Sequence, residues 1–190
     1  AANQYVLTTD TRMSDARTPT AGSSDYVQNS TGVQASSNFN ISGTGTAAVL
    51  SATTQFNIGS NRILSSAGVS NLLVGIGAGS VNTGQFNTFV GRDAGLSNQG
   101  ASANAFFGHS AGRLNTTGFN NSFFGRQAGD RNTTAFGNTF VGTSAGERNT
   151  NASTNTFVGG YAGYQTVSGG DNSFFGAEAG WGNEVGTLNA

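Results

Sequence analysis

The stretch NSFFGRQAG, residues 121–129, decides the fold because six close variants share the chain. They are NLLVGIGAG from Asn71, NTFVGRDAG from Asn87, NAFFGHSAG from Asn104, NTFVGTSAG from Asn138, NTFVGGYAG from Asn155 and NSFFGAEAG from Asn172. Asn189 opens a further copy. The first step is 16 residues and each later one 17, and a short fixed period of this kind means stacked, near-identical units. Such a unit is too short for a helix pair, and the runs between copies, such as DRNTTAFG from Asp130, are Asn, Thr and Gly turns. Each unit therefore predicts one 17-residue coil of a parallel β-solenoid or β-roll, an all-β fold whose equivalent residues stack in files. With coils about 4.8 Å apart, seven copies span roughly 33 Å.

Two apolar files run side by side. The first is Phe89, Phe106, Phe123, Phe140, Phe157 and Phe174, headed by Leu73. The second is Val90, Phe107, Phe124, Val141, Val158 and Phe175, headed by Val74. Neighbours on a strand point to opposite faces, so one of these files points out of its own coil. A lone solenoid then carries a Val and Phe stripe larger than soluble monomers usually expose. The other regular apolar position is only alanine, from Ala78 to Ala179. The expectation is that one file fills the coil while the other packs on further copies, most simply a homotrimer about one axis.

Glycines after each apolar pair (Gly75 to Gly176) and at the end of each phrase (Gly79 to Gly180) suit corners with positive φ. Two asparagine files have a structural reading as well. Asn87, Asn104, Asn121, Asn138, Asn155 and Asn172 form one; Asn98, Asn115, Asn132 and Asn149 form the other. Both can accept left-handed turn positions and hydrogen-bond the turn backbone, as stacked amides do in solenoids, and the first is expected to form a ladder.

Composition narrows the function classes. With 30 Gly, one Pro and only 9% charged residues, the 190 residues depart from average globular usage in the way a solenoid does. A net charge of -1 lacks the electrostatic footprint of a nucleic-acid or anionic-membrane binder. There is no cysteine, hence no disulfide framework, thiolate metal site or cysteine nucleophile. The opening AANQYVLTTD has neither a basic nor an apolar leader segment, and no stretch approaches a membrane span, so no membrane insertion is expected.

Three regions follow. Residues 1–36, with scattered apolar residues and Pro19, read as an extended arm or linker. Its YVL stretch is suited to adding a strand to a partner edge, which would link subunits into a filament. Residues 37–70 alternate apolar and polar positions (Phe39, Ile41, Phe56, Ile58, Ile63, Leu64) and read as a β capping region. Two forms stand for it, degenerate coils in 17-residue register or a hairpin pairing FNIG with RILS. Residues 71–190 are the repeat array.

TDTRMSDARTPTAG (residues 9–22), SSNFNISGTGTA (36–47) and TTQFNIGSNRILSSAG (53–68), followed by the NTFVGxxAG array, together resemble a known class. They are similar to phage-type and bacterial tail-fibre-like surface proteins that carry a C-terminal autocleaving chaperone domain. The repeat is more distantly similar to the NSVAIG-type repeat of YadA-like trimeric autotransporter heads, although its coil is longer and its glycine comes one residue earlier. The resemblance implies a left-handed, intertwined homotrimer in an extracellular, cell-surface or virion-associated fibre. It also implies a shaft that supports attachment, or an adhesin-type head for glycan or matrix protein.

Chemistry-bearing residues are few. Asp130 and Glu147 share a file one strand spacing apart, roughly 5 Å, the separation of a retaining glycosidase pair. Arg113 precedes them, however, and Arg131 and Arg148 adjoin them, so a solvated charge ladder accounts for them equally and no enzymatic activity is expected. Tyr164 and Trp181 continue that file beside Tyr161, as a cap on the next coil or as a ligand surface. His109 is the lone histidine, and its repeat-mates Arg92, Arg126 and Thr143 predict a surface position. No cofactor or metal is expected: GIGAG at Gly75 is one repeat copy, not a nucleotide loop, and the Asp of a calcium-binding roll is missing. A threonine strip (Thr116, Thr117, Thr133, Thr134, Thr150) raises ice binding, but it breaks at Gln99, Val167 and Glu184.

Overall fold

The computed structural model describes residues 55–190. The expected arm over 1–36 and the capping segment up to residue 54 lie outside these. The described chain is all-β, with nine strands in one sheet in sequence order. No helix among these residues is long and apolar enough to cross a membrane.

Residues Gln55–Ile58 (β1) and Asn61–Ser65 (β2) form an antiparallel hairpin across Gly59 and Ser60, with a register irregularity at Phe56 and Asn57. Phe56 pairs with Leu64 and so does not stack on Leu73, despite its 17-residue offset. The second hairpin strand pairs antiparallel with Leu72–Val74 (β3), Leu64 opposite Val74. The backbone groups on that edge of the first coil are thereby satisfied instead of being left open to strand addition.

From β3 onward the sheet is parallel. Thr88–Val90 (β4), Ala105–Phe107 (β5), Ser122–Phe124 (β6), Thr139–Val141 (β7), Thr156–Val158 (β8) and Ser173–Phe175 (β9) follow, one per coil. Leu73 stands opposite Phe89, Phe89 opposite Phe106, and so on to Phe157 opposite Phe174. This is a parallel β-solenoid with the 16- and then 17-residue coils that the spacing predicts.

Phe89, Phe106, Phe123, Phe140 and Phe157 are wholly buried and are the interior file. Their rings stack nearly parallel with centroids 4.8 to 4.9 Å apart along Phe89, Phe106, Phe123, Phe140 and Phe157. That distance is the strand spacing itself, so the backbone repeat brings the rings into offset contact, worth about 0.5–1.5 kcal/mol per pair beyond burial. The remaining interior is Ala94, Ala111, Ala128, Ala145 and Ala162, all fully buried. No larger side chain is needed in so thin a coil.

The corner after each strand turns on two left-handed residues. In the coil of β4, Ala94 N–H donates to the Gly91 carbonyl (3.3 Å) and Leu96 N–H to the Asp93 carbonyl (3.3 Å). These are overlapping β-turns whose third residues, Asp93 and Gly95, both have φ of 58°. Glycine fills the second such place throughout, from Gly79 to Gly180. The first is held by Gly77, Asp93, Ser110, Gln127, Ser144, Tyr161 and Glu178, all at positive φ.

The asparagines stack and hydrogen-bond the turn backbone as expected, but without the left-handed conformation, for neither file has positive φ. In the first, each backbone N–H donates to the side-chain oxygen one coil earlier: Asn104 to Asn87 (3.0 Å), Asn121 to Asn104 (2.9 Å), Asn138 to Asn121 (3.0 Å). In the second, amide donates to amide: Asn98 to Asn82 (2.6 Å), Asn115 to Asn98 (2.8 Å), Asn132 to Asn115 (2.7 Å). Both files converge on one carbonyl per coil, Asn121 and Asn132 both donating to that of Ala135. A buried amide with this many partners satisfies backbone groups that a strand-poor coil would otherwise orphan.

The second file breaks near the C-terminal coils. Thr166 stands where asparagine is due, and Asn149 turns its side-chain oxygen to the Ala152 N–H (2.9 Å). Asn132 Oδ1 and Thr166 Oγ1 are left buried without partners. Leaving such groups unpaired costs about 1–3 kcal/mol. Thr166→Asn, which restores the amide donor in a slot shaped for it, is expected to raise stability by about 1 kcal/mol. Chemical denaturation checks this.

Candidate functional site

Three surface features emerge from the files. The first is the outer face of the sheet. Val90, Phe107 and Val158 are half-buried, while Phe124 is 40% exposed and Val141 and Phe175 are exposed. Phe107 stacks on Phe124 at 4.9 Å. Beside this row on the same face runs a file of small residues, Thr88, Ala105, Ser122, Thr139, Thr156 and Ser173, each half-buried. The face is apolar along one edge and repeats at every coil.

The second is the charged file. Arg113 Nε donates to Asp130 Oδ1 (2.8 Å) and its terminal nitrogen to Oδ2 (3.0 Å). Asp130 is buried and Arg113 partly exposed. The Asp130 hydrogen bond, outweighing burial, holds the Arg113 guanidinium above its ordinary pKa. The carboxylate of Asp130 is therefore engaged in a two-pronged ion pair, with Glu147 half-buried one coil on and Arg131 and Arg148 exposed beside them. Glycoside cleavage needs two carboxyl groups facing the scissile bond; both oxygens of Asp130 are here turned to Arg113. His109 is exposed, as are Arg92, Arg126 and Thr143 in its file. In the threonine strip, the Thr116 and Thr133 hydroxyls donate to the carbonyls of Thr133 and Thr150 (both 2.9 Å), so they brace the coil. No group of residues suited to holding a metal occurs among the described residues.

The third is the aromatic cluster. Tyr164 and Trp181 stack with centroids 5.9 Å apart and planes 7° from parallel, and Arg148 lies over the Tyr164 ring at 5.6 Å. Tyr161 meets Tyr164 at 5.7 Å but is tilted by 57°. Tyr161 and Trp181 are 43% and 45% exposed. The three residues singled out from sequence are thus together, in the shape of an angled corner and not a flat column.

Sequence reasoning passed over one feature. Phe119 and Phe136, at the corner preceding the strand, stack at 5.0 Å on the surface and are exposed. Their 17-residue offset in TGFNN and TAFGN was the available signal. A cleft of about 420 Å³ at the hairpin end is lined by Gln55, Arg62, Ser65, Ser66 and Ser80 among others. Its one charged group is already used: Arg62 donates to Ser65 Oγ (3.0 Å) and to the Ala78 carbonyl. Comparison with known proteins finds no matching family model, no matching curated protein and no matching solved structure.

Proposed function

We propose that the chain is a shaft segment of a homotrimeric extracellular or virion-associated appendage, non-enzymatic and supporting attachment, as its resemblance to tail-fibre-like surface proteins implies. The observation that carries this is the outward Val and Phe row from Val74 to Phe175, half-wet in a single chain. A stripe that recurs at each strand spacing is matched along its whole length by a partner with the same spacing. Another copy of this solenoid, packed in parallel, is such a partner. The mechanism is mechanical: stacked rings, asparagine ladders and strand hydrogen bonds make a stiff rod whose length scales with coil number.

The expected result is that Phe107→Ser with Phe124→Ser lowers the sedimenting mass toward that of one 19.2 kDa chain while the β-type circular dichroism is kept. A double variant with undiminished oligomer mass contradicts the proposal.

A further inference from the structure

We propose that Tyr161, Tyr164 and Trp181, with Arg148, Glu147 and Glu178 about them, form a binding site for a neutral pyranose oligosaccharide. The proposal does not rest on self-association, because the cluster lies beyond the Gly159 corner from the outer sheet face.

The backbone supplies the first ground. Tyr161 has φ of 59°, in a turn position that the other coils fill with Gly, Asp, Ser, Gln or Glu. A bulky residue is disfavoured there, and an outlier of this kind points toward function. Phe86 is the other aromatic residue with positive φ, and it has no aromatic pair among the described residues.

The ring arrangement supplies the second. Tyr164 is half-buried, with Arg148 over its ring and Trp181 stacked on it. Tyr161 and Trp181, the two rings that meet it, keep exposed surface. Such an angled pair of aromatic surfaces accepts the C–H faces of sugar rings. Hydroxyls need acceptors, and two carboxylates are in register. Glu178 follows Tyr161 by one coil, its N–H bonding the Gly160 carbonyl (2.8 Å). Glu147 precedes Tyr164 by one coil, where Arg148 N–H donates to the Tyr164 carbonyl (3.1 Å). Neither glutamate is in an ion pair among the described residues.

Charge selects the class of sugar. Two carboxylates against one arginine disfavour sulfated or uronic glycans, and the guanidinium over Tyr164 takes the place that a quaternary ammonium would need.

Trp181 is the single tryptophan, so its fluorescence reports on the site directly. The full chain is titrated with maltohexaose, cellohexaose, chitohexaose and mannohexaose. Expected is a saturable change in emission with at least one of them below about 10 mM. Tyr161→Gly is expected to weaken that binding roughly tenfold or more without lowering the thermal midpoint, since glycine suits the backbone there. The proposal is overturned if no neutral oligosaccharide gives saturation, or if only a heparin hexasaccharide or tetramethylammonium does. It is equally overturned if Tyr161→Gly lowers the midpoint and leaves binding unchanged, which would make the tyrosine a packing element.

Discussion

Gly125→Ala is expected to disrupt the coil in which it lies, at a cost of about 3 kcal/mol or more. Two effects add. The residue has φ of 142°, a region almost closed to side chains. An added Cβ would also lie 2.3 Å from the carbonyl oxygen of Gly142 and 2.6 Å from its carbon. Both are backbone atoms of the next coil and cannot rotate away. Relief therefore requires coils to part, which strains the sheet and both asparagine files together. Gly160→Ala is the matched control: nothing lies within 4 Å of its added Cβ and its φ is not positive, so the change is expected to stay within about 0.5 kcal/mol. Thermal and urea unfolding of the two variants, with limited proteolysis to locate the opened coil, checks the contrast.

The second large effect is Phe123→Ala, expected to cost about 3–5 kcal/mol. The ring stacks at 4.8 Å on both Phe106 and Phe140, so truncation opens a gap in the middle of the interior file. The wall opposite cannot fill it. Gly129 lies so close that even one added carbon there would meet the ring at 2.4 Å, and the neighbouring interior residues are alanines. Phe124→Ala, one residue along the same strand, removes a side chain that a single chain leaves 40% exposed. It is expected to change the unfolding free energy of an isolated chain by less than about 1 kcal/mol and to act on association instead. Adjacent phenylalanines with opposite consequences are the signature of one file inside and one outside.

The interior and outer files were legible in the sequence because a strand alternates its faces and the 17-residue offset repeats. Alternation cannot say which of two adjacent apolar residues faces inward; in the structure the Asn, Phe and Ala positions that face in do so together. The left-handed residues Asp93, Ser110 and Gln127 were not legible, since their position has no constant residue type and only the flanking glycine and alanine mark it. The asparagine ladders were legible as stacked amides, but their backbone conformation was not. The side chain serves a left-handed turn and a hydrogen-bonded ladder equally well, and the structure has the ladder without the left-handed turn. Phe56 shows the limit of counting: its offset to Leu73 matches the period, yet Gly59 and Ser60 turn the chain back into a hairpin. The aromatic corner was visible as three residues, but the tilt of Tyr161 and the place of Arg148 depend on backbone angles that no spacing reveals.

Sedimentation equilibrium of the unaltered chain at micromolar concentration tests the central claim most directly. A single species of three times 19.2 kDa, unchanged on dilution across that range, is the predicted result. A stable 19.2 kDa particle, with the Val90 to Phe175 row in water, would contradict it.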